Sequence, residues 1–377
     1  MRWAGQKVAE DQVGTDVVLP GMRGLLRTVR PPEFAGMVFH EVEARSALNK
    51  VPGRSSMPFT WTINPYRGCS HACTYCFARN THTYLDLDAG EDFDRQVVVK
   101  VNVARVLERE LRSPKWRREP VAMGTNTDPY QRVEGRYKLM PGIIGALGRS
   151  GTPFSVLTKG TLLTRDLPEL VAAAADVRVG LGVSIALADR DLQARLEPGT
   201  PTPAARLELV RRITGAGLRC GVMVAPVLPL LTDSDEALET LLASIAGAGA
   251  TGATVLALHL RPGTREWFMS WLAREYPALV EPYGRLYSRG AYVDRRYRDA
   301  LAARVAPLLG RYGLLRSAAQ RGLPGDRDGS WPGGSLPDGH RAAPASGMSA
   351  SGIDASNREA TSTSGTGEVG GEQLSLL

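Results

Sequence analysis

The apolar positions of this chain fall into short runs separated by longer amphipathic stretches, and the alternation starts near residue 59. Phe59-Thr60-Trp61-Thr62-Ile63 is aromatic and β-branched and predicts a short strand. Further apolar runs predict strands near 120–124, 153–158, 178–185, 219–225 and 253–259. Helical periodicity predicts helices near 99–111, 140–149, 165–175, 203–216 and 234–248. Strand, helix and strand at this rhythm describe an α/β chain, a parallel sheet with helices on its outside. The count is about six βα units, short of a closed eight-fold barrel.

After residue 259 the pattern becomes wholly helical, near 264–275, 279–287 and 294–310, with Trp267, Phe268, Trp271, Tyr283, Tyr287 and Tyr297 along it. We read these helices as a C-terminal cap on the barrel and their aromatics as packing. From about residue 317 the chain turns to Gly, Ser, Pro and Ala, with Trp331 its lone aromatic. Such a segment buries too little apolar surface to fold, so disorder is expected there. The expected organisation is a partly ordered lead-in over 1–58, a barrel over 59–263, a helical cap over 264–316 and a disordered tail over 317–377.

Charge changes this picture only at its ends. Residues 322–377 hold seven acids and three arginines, a net of −4, so the remainder carries +11 against +7 for the whole chain. A basic body is compatible with a polyanionic partner, nucleic acid among them, although an arginine-rich composition would produce the same balance. No stretch resembles a signal peptide or a membrane span: the most apolar run, Cys220 to Leu231, is short and broken by Pro226 and Pro229.

Chemistry concentrates in one stretch. Asn64 to Arg79 holds three of the four cysteines, Cys69, Cys73 and Cys76, at C-x3-C-x2-C spacing. Three thiolates this close fit one cuboidal iron–sulfur cluster and leave its fourth iron without a protein ligand. An open iron is a site for chemistry. A zinc loop completed by His71 or His82 is the competing reading, but zinc ligands usually arrive as two separated pairs. The triplet, with the aromatic Tyr75 before its last cysteine, resembles the signature of the radical S-adenosylmethionine (radical SAM) superfamily. That resemblance implies a [4Fe-4S] cluster on Cys69, Cys73 and Cys76, S-adenosyl-L-methionine (SAM) chelating the open iron, and cleavage of SAM to a 5′-deoxyadenosyl radical. It also implies a partial (βα)6 TIM-type barrel and an electron donor of flavodoxin or ferredoxin type. An oxygen-sensitive cluster with no disulfide framework places the chain in the cytoplasm.

Barrel active sites lie at the C-terminal ends of the strands. Those ends carry Thr125 to Glu134, with Asp128-Pro129-Tyr130-Gln131 inside it, then Lys159, Ser184, Glu197-Pro198-Gly199-Thr200 and Arg206. Taken in order, these stations resemble the branch that holds spore photoproduct lyase and the "DNA repair photolyase"-like proteins. The resemblance runs from about Trp61 to Gly263. It implies that Lys159 and Ser184 contact SAM. By position, Lys159 can meet the SAM carboxylate, and the Asp128 loop either supplies acceptors to the SAM amino group or makes an ordinary Asp-Pro turn. The cofactor-binding candidates are Tyr75, Asp128, Lys159, Ser184, Glu197 and Arg206, with Tyr75 also a candidate radical relay. Two stations depart from the lyase. Thr125 stands where it needs a hydrogen-donor cysteine, and Phe77 where it has a second tyrosine, so the resemblance does not carry the spore photoproduct reaction itself. Cys220 opens its strand, which points it to the packing layer and away from SAM. His71 and His82 are read as supports of the cluster or lining of the substrate pocket.

The last residues, Gln373-Leu374-Ser375-Leu376-Leu377, resemble the bacterial sliding-clamp-binding pentapeptide; chance or a degradation signal would also leave apolar residues there. Three functions follow: a radical SAM enzyme acting on nucleic acid, one modifying a peptide, cofactor or small molecule, and an iron–sulfur redox or DNA-binding sensor without SAM chemistry. Lys159 and Ser184 beside an open-iron motif argue against the sensor.

Overall fold

A computed structural model of the chain describes residues 12–14, 24–51 and 59–315. Strands β1 (Gln12–Gly14), β2 (Leu25–Arg30) and β3 (Val38–Val42) form an antiparallel meander. Strand β4 (Leu48–Lys50) then pairs antiparallel with β5 (Trp61–Ile63), Leu48 opposite Ile63. Next come β6 (Tyr66–Arg67), the cysteine loop, α1 (Glu91–Arg95), β7 (Gln96–Lys100) and α2 (Val103–Leu111). β7 lies parallel to β3 and antiparallel to β6, which completes a sheet of order β1-β2-β3-β7-β6.

This sheet departs from the expected organisation. The lead-in contributes strands to two sheets, and the helix expected from residue 99 starts only at Val103. Val97, Val98 and Val99 are buried, and a β-branched run of this kind packs well on a pleated surface.

The chain continues through β8 (Val121–Met123), α3 (Glu134–Tyr137), α4 (Leu139–Arg149), β9 (Phe154–Thr158), α5 (Leu167–Asp176) and β10 (Val179–Ser184). Then follow α6 (Arg190–Leu196), α7 (Pro203–Gly215), β11 (Cys220–Val227), α8 (Asp235–Gly247), β12 (Gly252–Ala257), α9 (Thr264–Glu275), α10 (Val280–Leu286) and α11 (Arg295–Arg311). The second sheet has the order β12-β11-β10-β9-β8-β5-β4, and its neighbours from β5 to β12 are all parallel. It is the partial barrel the apolar rhythm predicts, with β12 at one edge.

Parallel strands buried on both faces read as continuous apolar runs. Val121, Val156, Leu181, Val183 and Val222 accordingly join one core with Leu107, Ile143, Leu147, Leu170, Val210 and Leu242 of the surrounding helices. Asp189, Thr202 and Ser234 cap α6, α7 and α8 by accepting first-turn N–H groups, each worth about 1 kcal/mol.

The three helices expected as one cap serve two places. Phe268, Trp271, Tyr283 and Tyr287 of α9 and α10 pack with Cys73, Tyr75, Leu192, Leu196 and Leu258, over the cysteine loop. Leu301 and Val305 of α11 belong instead to the main core, and Leu314 O accepts from Ala253 N at the foot of β12. α11 therefore fills the outer layer beside α8. Among the described residues no helix is long and apolar enough to cross a membrane. The tail over 317–377, with Gln373 to Leu377, lies outside the described residues.

Candidate active site

The cysteine loop is strapped to its surroundings through its backbone. Ala72 turns it between Cys69 and Cys73 at a φ of 52°, a left-handed conformation uncommon for a residue with a Cβ. Cys69 N donates to Phe93 O at 2.9 Å and Thr74 N to Leu196 O at 2.9 Å. Ser70 N donates to Gln131 Oε1 at 2.8 Å, and Gln131 Nε2 returns to Gly68 O at 3.0 Å. Thr264 Oγ1 at the start of α9 donates to Cys76 O at 2.7 Å.

Arg79 closes the loop. Its fully buried guanidinium donates to Cys73 O (Nε 3.1 Å, Nη2 2.9 Å) and to Gly90 O (2.8 Å), and pairs with both oxygens of Asp94 at 2.9 Å. It also lies 4.8 Å from the Trp267 ring centroid, a cation–π contact. Burial raises the Asp94 carboxyl to about 6 even against the Arg79 charge.

Cys69 and Cys76 lie within electrostatic reach of Cys73, while among the described residues no three His, Cys, Asp or Glu side chains are arranged to hold a metal ion. Burial pushes the pKa of Cys69, Cys73 and Cys76 upward, so thiolates there require a positive charge from outside the side-chain set. A [4Fe-4S] cluster with three protein ligands would supply it. Cys220 is no fourth ligand: it is fully buried at the first residue of β11, packed in the main core. Its thiol is pushed up to about 12 by burial. Each histidine ring has one nitrogen engaged away from the thiols, while His82 Nδ1 is buried without a hydrogen-bond partner. His71 Nδ1 lies 3.3 Å from Asp128 Oδ2 and His82 Nε2 lies 2.8 Å from Gln96 O. Burial lowers the His82 pKa to about 4, which keeps that ring neutral beneath the loop.

Five candidates from four stations converge beside the loop. Lys159 Nζ donates to Ser184 Oγ at 2.7 Å and lies 3.1 Å from Glu197 Oε1. The Tyr75 hydroxyl donates to the same Glu197 oxygen, and Lys159 Nζ stands 5.7 Å from the Tyr75 ring centroid. Arg206 pairs with the other Glu197 oxygen through Nη2 and donates from Nη1 to Ser184 O at 3.0 Å. Glu197 and Arg206 are both fully buried. Burial alone would raise the Glu197 pKa, but the charges of Arg206 and Lys159 hold it well below the carboxylate range.

The sixth candidate is placed differently. Asp128 Oδ1 accepts from Thr158 Oγ1 (2.6 Å) and Tyr130 N (2.8 Å), while Oδ2 accepts from Lys159 N (2.6 Å) and faces His71. Both oxygens are occupied within the protein, which ties the β8 loop to the end of β9.

Some supports were not legible as site residues. Gly199 brings the 197–200 turn onto the cysteine loop: its N donates to His71 O at 3.1 Å, and a Cβ there would stand 1.9 Å from Ser70 O. Glu134, fully buried, accepts from the Tyr66 hydroxyl, from Leu139 N (3.0 Å), from Met140 N (3.1 Å) and from Arg165 Nη2 (2.6 Å). Both residues sit inside stretches the sequence marks as polar strand ends, but a close backbone approach and a buried carboxylate leave no local signal of their own.

The sequence profile of the radical SAM superfamily matches residues 63–242, from the end of β5 into α8. The chain belongs to the radical SAM superfamily. An uncharacterized protein of Mycobacterium tuberculosis strain H37Rv is 62% identical over 317 residues, 83% of this chain and 93% of that protein. An uncharacterized protein of Methanocaldococcus jannaschii is 26% identical over 195 residues, covering 51% and 69% of the two chains. Among solved structures, spore photoproduct lyase complexed with dinucleoside spore photoproduct aligns with a TM-score of 0.52 at 16% identity, over 73% of this chain and 79% of the lyase. A variant of that lyase with bound AdoMet and the same dinucleoside aligns at 0.51 and 18% identity, over 68% and 75%. These likenesses show a common fold. The chain is thus a radical SAM enzyme, of a family that uses a [4Fe-4S] cluster and SAM and requires a substrate and a reductant.

Proposed function

We propose that this radical SAM enzyme acts on nucleic acid, with Cys69, Cys73 and Cys76 holding the cluster and Lys159 and Ser184 holding the methionine part of SAM. The observation that carries the SAM assignment is the Lys159–Ser184–Glu197 group, a partly buried cation beside a hydroxyl at the C-terminal ends of adjacent strands. When bound, the cluster would supply the one-electron reduction that SAM cleavage requires.

The chain's own residues orient and isolate. Lys159 presents an ammonium to the SAM carboxylate, and Glu197, fixed by Arg206 and Tyr75, holds that ammonium in place. Asp128 holds the Lys159 backbone and so acts as a positioning residue rather than as an acceptor for the SAM amino group. α9 and α10 pack aromatic rings against Cys73 and Tyr75 of the cysteine loop.

Two observations support nucleic acid as substrate. The body of the chain carries +11 outside its acidic end, and the fold is like that of a lyase whose structures hold a dinucleoside photoproduct. Thr125 in place of a donor thiol and Phe77 in place of a second phenol point to a reaction other than that lyase's. The reductant is a flavodoxin or ferredoxin type protein, the compartment the cytoplasm, and Gln373 to Leu377 is a sliding-clamp peptide, tested by competition with a known clamp ligand. The substrate reading is tested by anaerobic 5′-deoxyadenosine formation with and without intact or ultraviolet-irradiated duplex DNA. Stimulation by DNA is expected; indifference to DNA together with stimulation by a peptide would move the enzyme to the peptide-modifying class.

A further inference from the structure

Four side chains from three separate segments make one continuous face at the edge of the partial barrel. Phe77 follows Cys76 directly, His259 and Arg261 follow β12, and Tyr292 precedes α11. The Phe77 and His259 ring centroids are 5.8 Å apart with planes inclined by 36°, and those of His259 and Tyr292 are 5.7 Å apart at 30°. The Arg261 guanidinium stands 5.6 Å from the Phe77 centroid. Backbone pairing fixes the ladder, since His259 and Tyr292 bridge as an antiparallel pair and Leu260 N donates to Ala291 O at 2.6 Å. Burial and the Arg261 charge lower the His259 pKa, so its ring is neutral near physiological pH.

An aromatic ladder that serves packing is covered. In this one Phe77 is 38% and Tyr292 57% exposed, and Arg261 is exposed as well. The site thus offers successive π faces with a cation over one end, next to a cluster cysteine. Every nucleobase has a π face, and every strand places a phosphate within reach of its bases. We propose that Phe77, His259 and Tyr292 form a stacking platform for unpaired nucleobases of a single strand, with Arg261 taking an adjoining phosphate. This rests on the nucleic-acid reading above and extends it to how the substrate is held: bases are engaged out of the duplex, at the open edge of the sheet. An aromatic peptide would use the rings but leave both Arg261 and the surplus charge of the body without a role.

The test uses the full chain with its cluster reconstituted and SAM bound. The probes are a short fluorescein-labelled oligothymidylate, an abasic strand with the same number of phosphates, and an acidic peptide carrying tryptophan. Oligothymidylate should bind about tenfold or more tightly than the abasic strand, and Phe77→Leu and Tyr292→Leu should each erase most of that difference. Arg261→Gln should weaken both strands and lower the salt slope by about one. Tyr292 is far from the cysteines in sequence and more than half exposed, so Tyr292→Leu carries the test if Phe77→Leu loses its cluster. Equal binding of the two strands, or unchanged oligothymidylate affinity in Tyr292→Leu, would overturn the platform while leaving the nucleic-acid reading in place. Binding of the peptide alone, with no strand bound by the unaltered protein, would overturn both.

Discussion

Lys159, just after β9, and Glu197, just after α6, meet at 3.1 Å, with Glu197 fully buried and locked on its other side by Arg206. The arrangement gives Lys159 a fixed position before any ligand arrives. A substrate carboxylate reaching Nζ then finds an ammonium already oriented, so a charge-assisted contact forms without first ordering the side chain.

Replacing Lys159 with Ala should therefore weaken SAM binding about 10- to 100-fold, as expected for loss of one charged hydrogen bond. The cysteine loop makes none of its backbone contacts through Lys159, so iron and sulfide content should be unchanged. Equilibrium binding of SAM to the reconstituted variant checks both.

Glu197→Gln should act on stability. Removing the charge leaves Arg206 buried without its carboxylate, and breaking a buried pair in this way costs about 3–5 kcal/mol. The sign with pH follows from the depressed carboxyl: below the ordinary glutamate value of 4.5 the unfolded chain binds a proton that the folded chain refuses. The contribution of Glu197 is complete above that pH and is lost as pH falls below it. Denaturant unfolding as a function of pH should show a shallower acid decline in Glu197→Gln than in the unaltered protein.

Gly199→Ala introduces a Cβ 1.9 Å from the Ser70 carbonyl, a contact that backbone must move to relieve. The 197–200 turn should lift from the cysteine loop, so the variant should fold but take up less iron after reconstitution. Normal iron content would show that the turn does not brace the loop.

Cys220→Ser should leave SAM cleavage intact. The thiol lies at the first residue of β11, fully buried with its pKa raised to about 12, and so is neither a radical quencher nor a ligand. Alkylation should reach Cys220 only when the protein is unfolded, which mass spectrometry of iodoacetamide-treated protein reads directly.

The parts of this molecule that were legible in its sequence are those written locally. Cys69, Cys73 and Cys76 are legible because cluster ligands on one loop must be close in sequence. The strands β8 to β12 are legible because parallel strands covered on both faces are apolar without interruption. Lys159 and Ser184 stand at their ends by the geometry of the βα repeat. The strand β7 was hidden because Val97 to Val99 runs almost directly into the periodic α2, and an apolar run has no mark of where strand becomes helix. The position of α11 was hidden because an amphipathic helix announces an apolar face without naming the surface that takes it. Arg79 and Glu134 were hidden for a related reason: a charged residue reads as solvent-facing until tertiary structure brings Cys73 O and Asp94, or Tyr66 and Arg165, around it. The ladder of Phe77, His259 and Tyr292 joins positions far apart in the chain, and only the edge of the sheet brings them together.

An open cluster on Cys69, Cys73 and Cys76, with SAM held beside it by Lys159, is the proposal from which the rest follows. Electron paramagnetic resonance of the dithionite-reduced, reconstituted protein tests it most directly. One [4Fe-4S] signal per chain is expected, lost when Cys69, Cys73 or Cys76 is replaced by Ala, and shifted on addition of SAM. In Lys159→Ala the shift should appear only at higher SAM concentration. A signal that SAM leaves unchanged, or that survives loss of any one of the three cysteines, would contradict the account.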